Sequence, residues 1–289
     1  MRPSHAARPH GLQPPRRLRR FAGHLPRYAA LLAAIGIWAV PVLWVLATSL
    51  KARTDIFTIP PRLWFAPTLE HYRTALGTVD VSRSIANSAL VGMLTMGLTL
   101  LVSVPAGYAY ARVRFPYREP LFFYTLFTQM APPVGFLIPF FLVLSRLRLL
   151  DTHVGIVLIY LTVTLPFAIW LVTTYFLDVP RELEEAALVD GCSRLTAFVR
   201  VVLPQTYGGV AVTAILSLIN AWNEFVYASV LTGARVRMAP VAIFGFLTTE
   251  ETLWGPFAAT AVMIMGPVIL VAFVMQRHIV RGLTLGALR

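Results

Sequence analysis

Few side chains of this sequence have the types and spacing that catalysis requires. The six histidines lie outside the long apolar runs, and the one cysteine, Cys192, can form neither an intrachain disulfide nor a cysteine metal cluster. The one lysine, Lys51, belongs to no Gly-rich Lys-Ser or Lys-Thr phosphate loop. We therefore expect no catalytic residue, no metal site and no bound cofactor, and any energy for work must come from another protein.

Seven charged side chains lie in a short polar segment, residues 180–204, between two apolar runs. Pro180 can start a helix there, with Glu182, Glu184 and Glu185 near its positive end. Gly191 can take a left-handed conformation and end that helix. A second, amphipathic helix is expected to follow. Its predicted apolar face consists of Leu195, Phe198, Val199, Val202 and Leu203.

The rest of the chain is too apolar to fold in water. Hydrophobic residues make up 57% of its 289 residues, only 13% are charged, and the mean hydropathy is +0.70. Water-soluble domains carry about 25% charged residues, so the solvent of this chain must be lipid. A β-barrel would need alternating polar and apolar residues, which the sequence lacks. We predict an all-α polytopic membrane protein with six spans at 28–50, 84–111, 120–144, 152–177, 205–232 and 256–276.

The net charge of +12 is distributed around these spans and does not form a basic face for nucleic acid. Seven arginines precede the first span. If the N-terminus is inside, sixteen Lys and Arg residues fall on inner segments and nine on outer ones. Positive charge favours the cytoplasmic side, so both termini are predicted to be cytoplasmic, with lipid around the spans.

The expected domain organisation follows from these spans. Residues 1–27 form a basic, disordered cytoplasmic tail, 28–83 hold the first span and an external loop, and 84–276 form the core. Residues 277–289 form a cytoplasmic tail in which Gly282 and Gly286 argue against a continued helix. The external loop is either a binding surface for an outside partner or a cap over the helices.

Local features within the spans suggest close packing and a transport pathway. Small residues recur at Ser103, Gly107 and Ala111, which lets another helix approach closely. The run 130–133 contains two prolines and predicts a kinked third span that lines a pathway. Glu224 is the one acidic residue placed inside a span, where it serves a pathway, a contact between subunits or a structural pair. Its neighbours in this candidate pathway site are Asn220, Trp222, Asn223 and Phe225, of which the two aromatics could stack on a sugar ring or anchor the helix at the interface.

The polar segment resembles the signature loop of ABC-importer permeases. The match consists of Glu185-Ala186-Ala187, three residues, Gly191, nine residues and Val201-Val202-Leu203-Pro204, with Val201 where isoleucine is usual. Other stretches resemble the carbohydrate, maltose-type branch of that family across residues 28–289. They are Ala109-Tyr110-Ala111-Arg112, Phe115-Pro116, Pro133, Ile138-Pro139, Leu150-Asp151-Thr152, Trp222-Asn223-Glu224-Phe225 and 281–287.

The resemblance implies a type-1 ABC importer permease fold with a cytoplasmic coupling helix, in the cytoplasmic membrane of a bacterium. It also implies the partners: a second permease subunit, a pair of ATPase subunits and an extracytoplasmic sugar-binding protein. The implied coupling residues are Glu185, Ala186, Ala187, Asp190, Gly191, Leu203 and Pro204. The alanines would let the ATPase approach closely, and Glu185 would pair with its basic groups. Two alternatives stay open, a permease for a cargo other than a sugar and an integral-membrane enzyme.

Overall fold

The computed structural model describes residues 16–247 and 252–287 of the chain. In that part of the chain the one β feature is an isolated bridge between Leu247 and Thr252. Two 3-10 turns, Thr128–Met130 and Ile243–Phe246, and a π-helical turn, Phe198–Val202, connect some of the helices. The α-helices are α1 Arg16–Leu50, α2 Arg53–Ile56, α3 Glu70–Thr78, α4 Val81–Arg112, α5 Arg118–Phe127, α6 Pro133–Arg146, α7 His153–Asp178, α8 Arg181–Val189, α9 Arg194–Ala197, α10 Leu203–Gln205, α11 Tyr207–Asn223, α12 Val226–Leu231, α13 Ala239–Ala242 and α14 Trp254–Ala287.

Four of the described helices contain a stretch that is long and apolar enough to cross a membrane. These stretches are Arg27–Leu50, Val81–Arg112, His153–Asp178 and Trp254–Val274. Two bent pairs also have the required length and composition: Arg118–Met130 with Pro133–Arg146, bent by 96°, and Arg194–Gln205 with Tyr207–Asn223, bent by 76°. The described chain therefore has four such helices, or up to six spans if each bent pair counts as one.

The bend between α5 and α6 lies at the predicted proline kink. Ala131 and Pro132 both have extended backbones, with ψ of 131° and 130°. Each of them precedes a proline, and the proline ring disfavours a helical conformation at the residue before it. Two such residues in succession break the helix, which explains why the bend is as large as 96°.

The predicted continuous helix over 205–232 is wrong. Helix α11 ends at Asn223, Glu224 is extended with ψ of 114°, and α12 begins at Val226. Polar side chains such as those of Asn223 and Glu224 compete for backbone hydrogen bonds, so they favour helix ends over helix interiors. Glu224 is therefore placed in a break between two helices.

Two predictions about the termini are also corrected. Helix α1 begins at Arg16, so residues 16–27 are helical and not disordered, while residues 1–15 lie outside the described part. Helix α14 continues through Gly282 and Gly286 to Ala287. A glycine costs a helix only about 1 kcal/mol, and extending an existing helix needs no new nucleation.

Two compact units divide the chain, the first ending at Ala47 and the second beginning at Thr48. The first contains the greater part of α1, which is largely apolar from Tyr28 onward. The second contains every other helix, with α4 packed against α7 and α11. The predicted small-residue stripe is confirmed, since Ser103, Gly107 and Ala111 are all buried on α4.

Gly107 shows why small residues are needed on this face of α4. A Cβ at Gly107 would lie 3.1 Å from both the backbone nitrogen of Thr173 and a methyl group of Val172 on α7. Two turns earlier, the hydroxyls of Thr99 and Thr164 form a hydrogen bond of 2.7 Å between the same helices. Close backbone approach and buried hydroxyl pairing hold helices together in lipid, where the hydrophobic effect between helices is absent.

Candidate functional site

The 180–204 segment begins as predicted, with a helix that ends at a glycine turn. Helix α8 ends at Val189, and Gly191 has a φ of +89°. The N–H groups of Gly191 and Cys192 donate to the carbonyls of Leu188 and Ala187, which is the pattern of a Schellman cap. No atom lies within 4 Å of a Cβ built on Gly191, so the backbone conformation alone requires glycine here.

The second half of the segment differs from the predicted amphipathic helix. Its first turn, α9, is α-helical, but residues 198–202 form a π turn in which Leu203 N–H donates to the carbonyl of Phe198. Pro204 has no N–H to donate, which favours the irregular turn. The extra residue in the π turn shifts the positions that face the core. Val202 is buried, whereas Val199 within the turn is exposed, and so is Leu195 before it, so the predicted apolar face is wrong at these two positions.

The residues predicted to couple to an ATPase divide into an exposed group and a packed group. Glu185, Ala186, Asp190, Gly191 and Pro204 are exposed. The apolar side chain of Val189 is 87% exposed beside the glycine turn, as is that of Leu195 at 71%. Leu203 is half-buried, and Ala187 is buried against its own chain. The expectation that the Ala187 side chain faces a partner is therefore wrong, because α8 turns it inward.

A buried charged cluster ties the 180–204 segment to α4. The Tyr108 hydroxyl donates to Glu184 Oε1 at 2.5 Å, and Arg112 Nε lies 3.3 Å from Glu184 Oε2 in an ion pair. The side chains of Arg112 and Glu184 are only 5% and 9% exposed. Arg112 Nη2 also donates to the carbonyl of Val179 at 2.5 Å, just before α8 begins. Below, "the Glu184 clamp" means Tyr108, Arg112 and Glu184.

The Glu184 clamp was not predicted from the sequence, in which Glu184 was assigned only a favourable place near the helix N-terminus. One signal was available: Tyr108 and Arg112 are four residues apart, so they share a face at the end of α4. The Tyr108 ring packs against Phe176 and Phe198, with ring centroids 5.8 Å and 4.5 Å away. The clamp therefore joins the ends of α4 and α7 to the polar segment.

A second candidate site lies at the break between α11 and α12. The carboxylate of Glu224 accepts hydrogen bonds from Tyr227 N–H at 3.1 Å and Ala228 N–H at 3.3 Å. The Tyr160 hydroxyl on α7 donates to the backbone carbonyl of Glu224 at 3.1 Å. Glu224 thus caps α12, because a carboxylate stabilises the free N–H groups of a helix start.

The neighbours of Glu224 do not all face outward. Asn220 and Asn223 are exposed, and Phe225 is partly exposed and stacks on Phe244 at 4.8 Å. Trp222 is buried with Ala239, and its Nε1 has no hydrogen-bond acceptor among the described residues. The expectation that Trp222 could stack on a sugar is therefore wrong, since packing covers its ring.

A cavity of about 390 Å³ lies at the bend between α5 and α6. Aromatic side chains line it beside a few polar groups. Gln129 Nε2 donates to the carbonyl of Val163 at 2.6 Å, which ties the broken helix to α7. Tyr227, which donates its N–H to Glu224, also lines this cavity. The two helix breaks thus border one region. The polar and aromatic lining residues suited to contact a ligand there are Gln129, Phe136, Phe140, Thr162 and Tyr227.

At the end of α7 opposite to the 180–204 segment, Asp151 links the turn before α7 to the loop after α12. Its carboxylate accepts hydrogen bonds from the N–H groups of Gly233, Arg235 and Val236 at 2.8–3.0 Å. Burial alone would raise the pKa of Asp151, but the three backbone donors and the charge of Arg235 outweigh it and hold that pKa below its usual value. The link fixes the turn before α7 to the loop after α12.

Comparisons with known proteins define the class of this protein. Residues 103–285 match the family described as the binding-protein-dependent transport system inner membrane component. The chain belongs to this family. In the described residues, no group of three or more His, Cys, Asp or Glu side chains could hold a metal ion.

Individual relatives are similar over nearly the whole chain. A probable ABC transporter permease protein of Sinorhizobium fredii is 35% identical over 88% of this chain and 91% of its own. The trehalose transport system permease protein of Mycobacterium tuberculosis is 34% identical over 88% and 94%. A bacterial ABC transporter involved in the import of the acidic polysaccharide alginate has a similar structure, with a TM-score of 0.72 and 25% identity over 90% of this chain and 97% of that one.

Proposed function

We propose that this chain is one permease subunit of an ATP-driven importer that carries a sugar or an oligosaccharide across the cytoplasmic membrane of a bacterium. The family match over 103–285 carries the proposal. Relatives that are named for trehalose and sulfoquinovosyl glycerol transport support a carbohydrate cargo. Because the sequence contains no phosphate-binding loop, a separate pair of ATPase subunits supplies the energy.

The 180–204 segment is the part that docks on the ATPase pair. Its exposed tip combines the charge of Glu185 with the apolar side chains of Val189 and Leu195, and exposed apolar groups beside a charge are typical of protein interfaces. Ala186 presents little bulk, and Gly191 sets the turn. Ala187 and Leu203 pack against the chain itself, and Pro204 is exposed at the end of the segment. Closure of the ATPase pair then moves this segment as a rigid body.

The cargo pathway runs past the two helix breaks. Asn220 and Asn223 are exposed beside Glu224, Phe225 is partly exposed, and the cavity of about 390 Å³ adds aromatic side chains and the amide of Gln129. Irregular backbone at membrane depth is tolerated where it lines a cavity or is covered by protein. A second permease subunit completes the pathway, and an extracytoplasmic sugar-binding protein delivers the cargo.

Replacement of Glu185 tests the docking role. The permease is reconstituted in lipid with its second permease, its ATPase subunits and its sugar-binding protein, and uptake and ATP hydrolysis are measured. We expect Glu185→Ala to reduce both at least tenfold without loss of membrane insertion. Gly191→Ala should act in the same direction, because a φ of +89° costs a side chain about 1–2 kcal/mol.

Glu119→Ala is the matched control, since Glu119 is an exposed carboxylate in the first turn of α5, outside the 180–204 segment. Full activity of Glu185→Ala and Gly191→Ala would contradict the docking role.

A panel of radiolabelled sugars, amino acids and peptides tests the cargo class. Uptake of an amino acid or a peptide, with none of any sugar, would favour the alternative of a non-carbohydrate importer.

A further inference from the structure

Five arginines lie on three segments at the end of the bundle that carries Asp151. They lie in the first turn of α4, at the end of α6 and in the turn that follows it, and in the loop that follows α12. We call them the outer arginine cluster: Arg83, Arg146, Arg148, Arg235 and Arg237. Four of them are exposed and Arg237 is half-buried.

Hydrogen bonds hold the three segments of this cluster in place. Arg83 Nη2 donates to the carbonyl of Arg235 at 3.2 Å, and Asn87 Nδ2 donates to the carbonyl of Arg237 at 3.1 Å. Asp151, three residues after Arg148, accepts from the backbone of the loop that carries Arg235. The guanidinium groups are therefore presented on a fixed frame, with little backbone freedom to lose on binding.

The positive charge of the cluster is only partly offset within the described chain, where Arg235 interacts with the charge of Asp151 and Arg83 lies beside Asp80. None of the five arginines forms an ion pair with a described residue, in contrast to Arg62 with Asp55 and Arg112 with Glu184. The oxygens of Asp151 are occupied by backbone N–H groups, which reduces what they offer to a side chain. The nearby Asp80 is occupied at the start of α4, where its carboxylate accepts from Ser82 and from Arg83 N–H.

The cluster lies at the opposite end of α4 from the Glu184 clamp. Arg83 and Arg112 are separated by 29 residues of one helix, about 43 Å at 1.5 Å per residue. If the 180–204 segment faces the cytoplasm, the cluster faces the outside. Short outer loops normally avoid arginine, because positive charge there opposes the membrane orientation of the chain. Five arginines at this end therefore indicate a function that outweighs this bias.

We propose that the outer arginine cluster is the docking surface for an acidic face of the extracytoplasmic sugar-binding protein. This inference rests on the proposed function. A fixed group of arginines with excess positive charge attracts an acidic partner from solution and raises the association rate, and salt weakens that attraction. The cluster lies at the end of α4, which packs against α7, α11 and α13 in the middle of the bundle, so its position suits a protein partner better than the surrounding lipid headgroups.

Titration of the sugar-binding protein against the reconstituted importer tests the proposal. The probe is the purified sugar-binding protein of the same importer, in both its liganded and its unliganded form. In the triple variant Arg83→Gln, Arg148→Gln and Arg235→Gln, we expect the half-saturating concentration of binding protein to rise about tenfold at low salt. The rise should shrink as salt is added, while the maximal ATPase rate at saturating binding protein stays unchanged.

Arg73→Gln is the matched control, because Arg73 is an exposed arginine on α3 outside the cluster. It removes one charge near the same end of the bundle and should leave the half-saturating concentration unchanged. An unaltered titration in the triple variant, with normal wild-type uptake, would overturn the docking surface and leave the proposed function intact. Failure of the wild-type importer to take up any sugar would contradict the proposed function instead.

Two other outcomes would also overturn the docking surface. In the first, the variant effect follows the fraction of anionic lipid in the membrane and not the concentration of binding protein, which would assign the arginines to lipid. In the second, the half-saturating concentration changes only with an anionic sugar bound and never with the unliganded binding protein, which would assign them to the cargo.

Discussion

At the scale of single residues, the carboxylate of Glu184 and the guanidinium of Arg112 face each other where water is nearly excluded. Their side chains are 9% and 5% exposed, and the Tyr108 hydroxyl donates to the same carboxylate. Removing one partner of such a pair leaves an uncompensated buried charge, which costs about 3–5 kcal/mol. Removing both charges costs less, because no unpaired charge is then buried. Comparison of the two single variants with the double variant therefore separates the energy of the ion pair from the cost of burying a single charge.

We expect Arg112→Gln to lower the thermal stability of the purified importer and the number of sugars moved per ATP. The physical reason is that α8 then loses its charged link to α4, so movement of the 180–204 segment is transmitted poorly. The double variant Arg112→Gln with Glu184→Gln should recover part of the stability. Uptake and ATP hydrolysis are measured in the same vesicles.

Arg114→Gln serves as the control for this clamp, since Arg114 is an exposed arginine just after α4 and outside the 180–204 segment. It should leave the ratio of uptake to hydrolysis unchanged. If Arg112→Gln kept that ratio and the stability of the wild type, the Glu184 clamp would have no role in coupling.

At the scale of elements, the carboxylate of Asp151 fixes the turn before α7 to the loop after α12. The pKa of Asp151 is held below its usual value, so its stabilising effect is present above the unfolded-state pKa, near 3.8, and is lost as the pH falls below that value. We expect Asp151→Asn to destabilise the protein by about 1–2 kcal/mol at neutral pH, because an amide satisfies three backbone donors poorly.

The measurement for Asp151→Asn is the thermal unfolding of the detergent-solubilised protein at pH 7 and near pH 3. The difference from wild type should shrink at the lower pH, because the unfolded chain binds a proton at Asp151 there and the stabilising effect of the carboxylate begins to be lost. Asp55→Asn is the control, because its partner Arg62 is 62% exposed and such surface pairs contribute little. A difference that grows on acidification would contradict the role given to Asp151.

At the scale of the whole molecule, the orientation of the chain decides which partners can reach each site. Cys192 is the only cysteine of the sequence and lies partly exposed directly after Gly191. The wild-type chain therefore carries a natural reporter for the side of the membrane on which the 180–204 segment lies. We expect a membrane-impermeant maleimide to label Cys192 in inverted membrane vesicles and not in intact spheroplasts.

The opposite pattern is expected for a cysteine at the other end of the bundle. Ala234 is exposed in the loop that carries Arg235, so the variant Ala234→Cys with Cys192→Ser should be labelled in spheroplasts. Labelling of Cys192 from the outside would reverse the orientation. It would then contradict both the ATPase docking of the 180–204 segment and the outside position of the arginine cluster.

The sequence alone determined the features that depend on composition and on local backbone preference. Low charge content required a lipid solvent, paired prolines predicted the bend at 131–133, and Gly191 predicted a left-handed turn whose φ is +89°. The spacing from Glu185 to Pro204 indicated the family. Each of these signals lies within a few residues of chain or in a bulk property, so no tertiary contact is needed to identify it.

Only the tertiary structure decided which side chains meet across the chain. Glu184 turns inward to Arg112, 72 positions away, and Trp222 is buried against Ala239, so neither presents the surface that its type suggests. The π turn leaves Val199 exposed, although its spacing predicted a place on the buried face. These outcomes depend on how whole helices are rotated and how closely they approach one another. The packing of α4, α7 and α11 sets both, and no local pattern in the sequence specifies either.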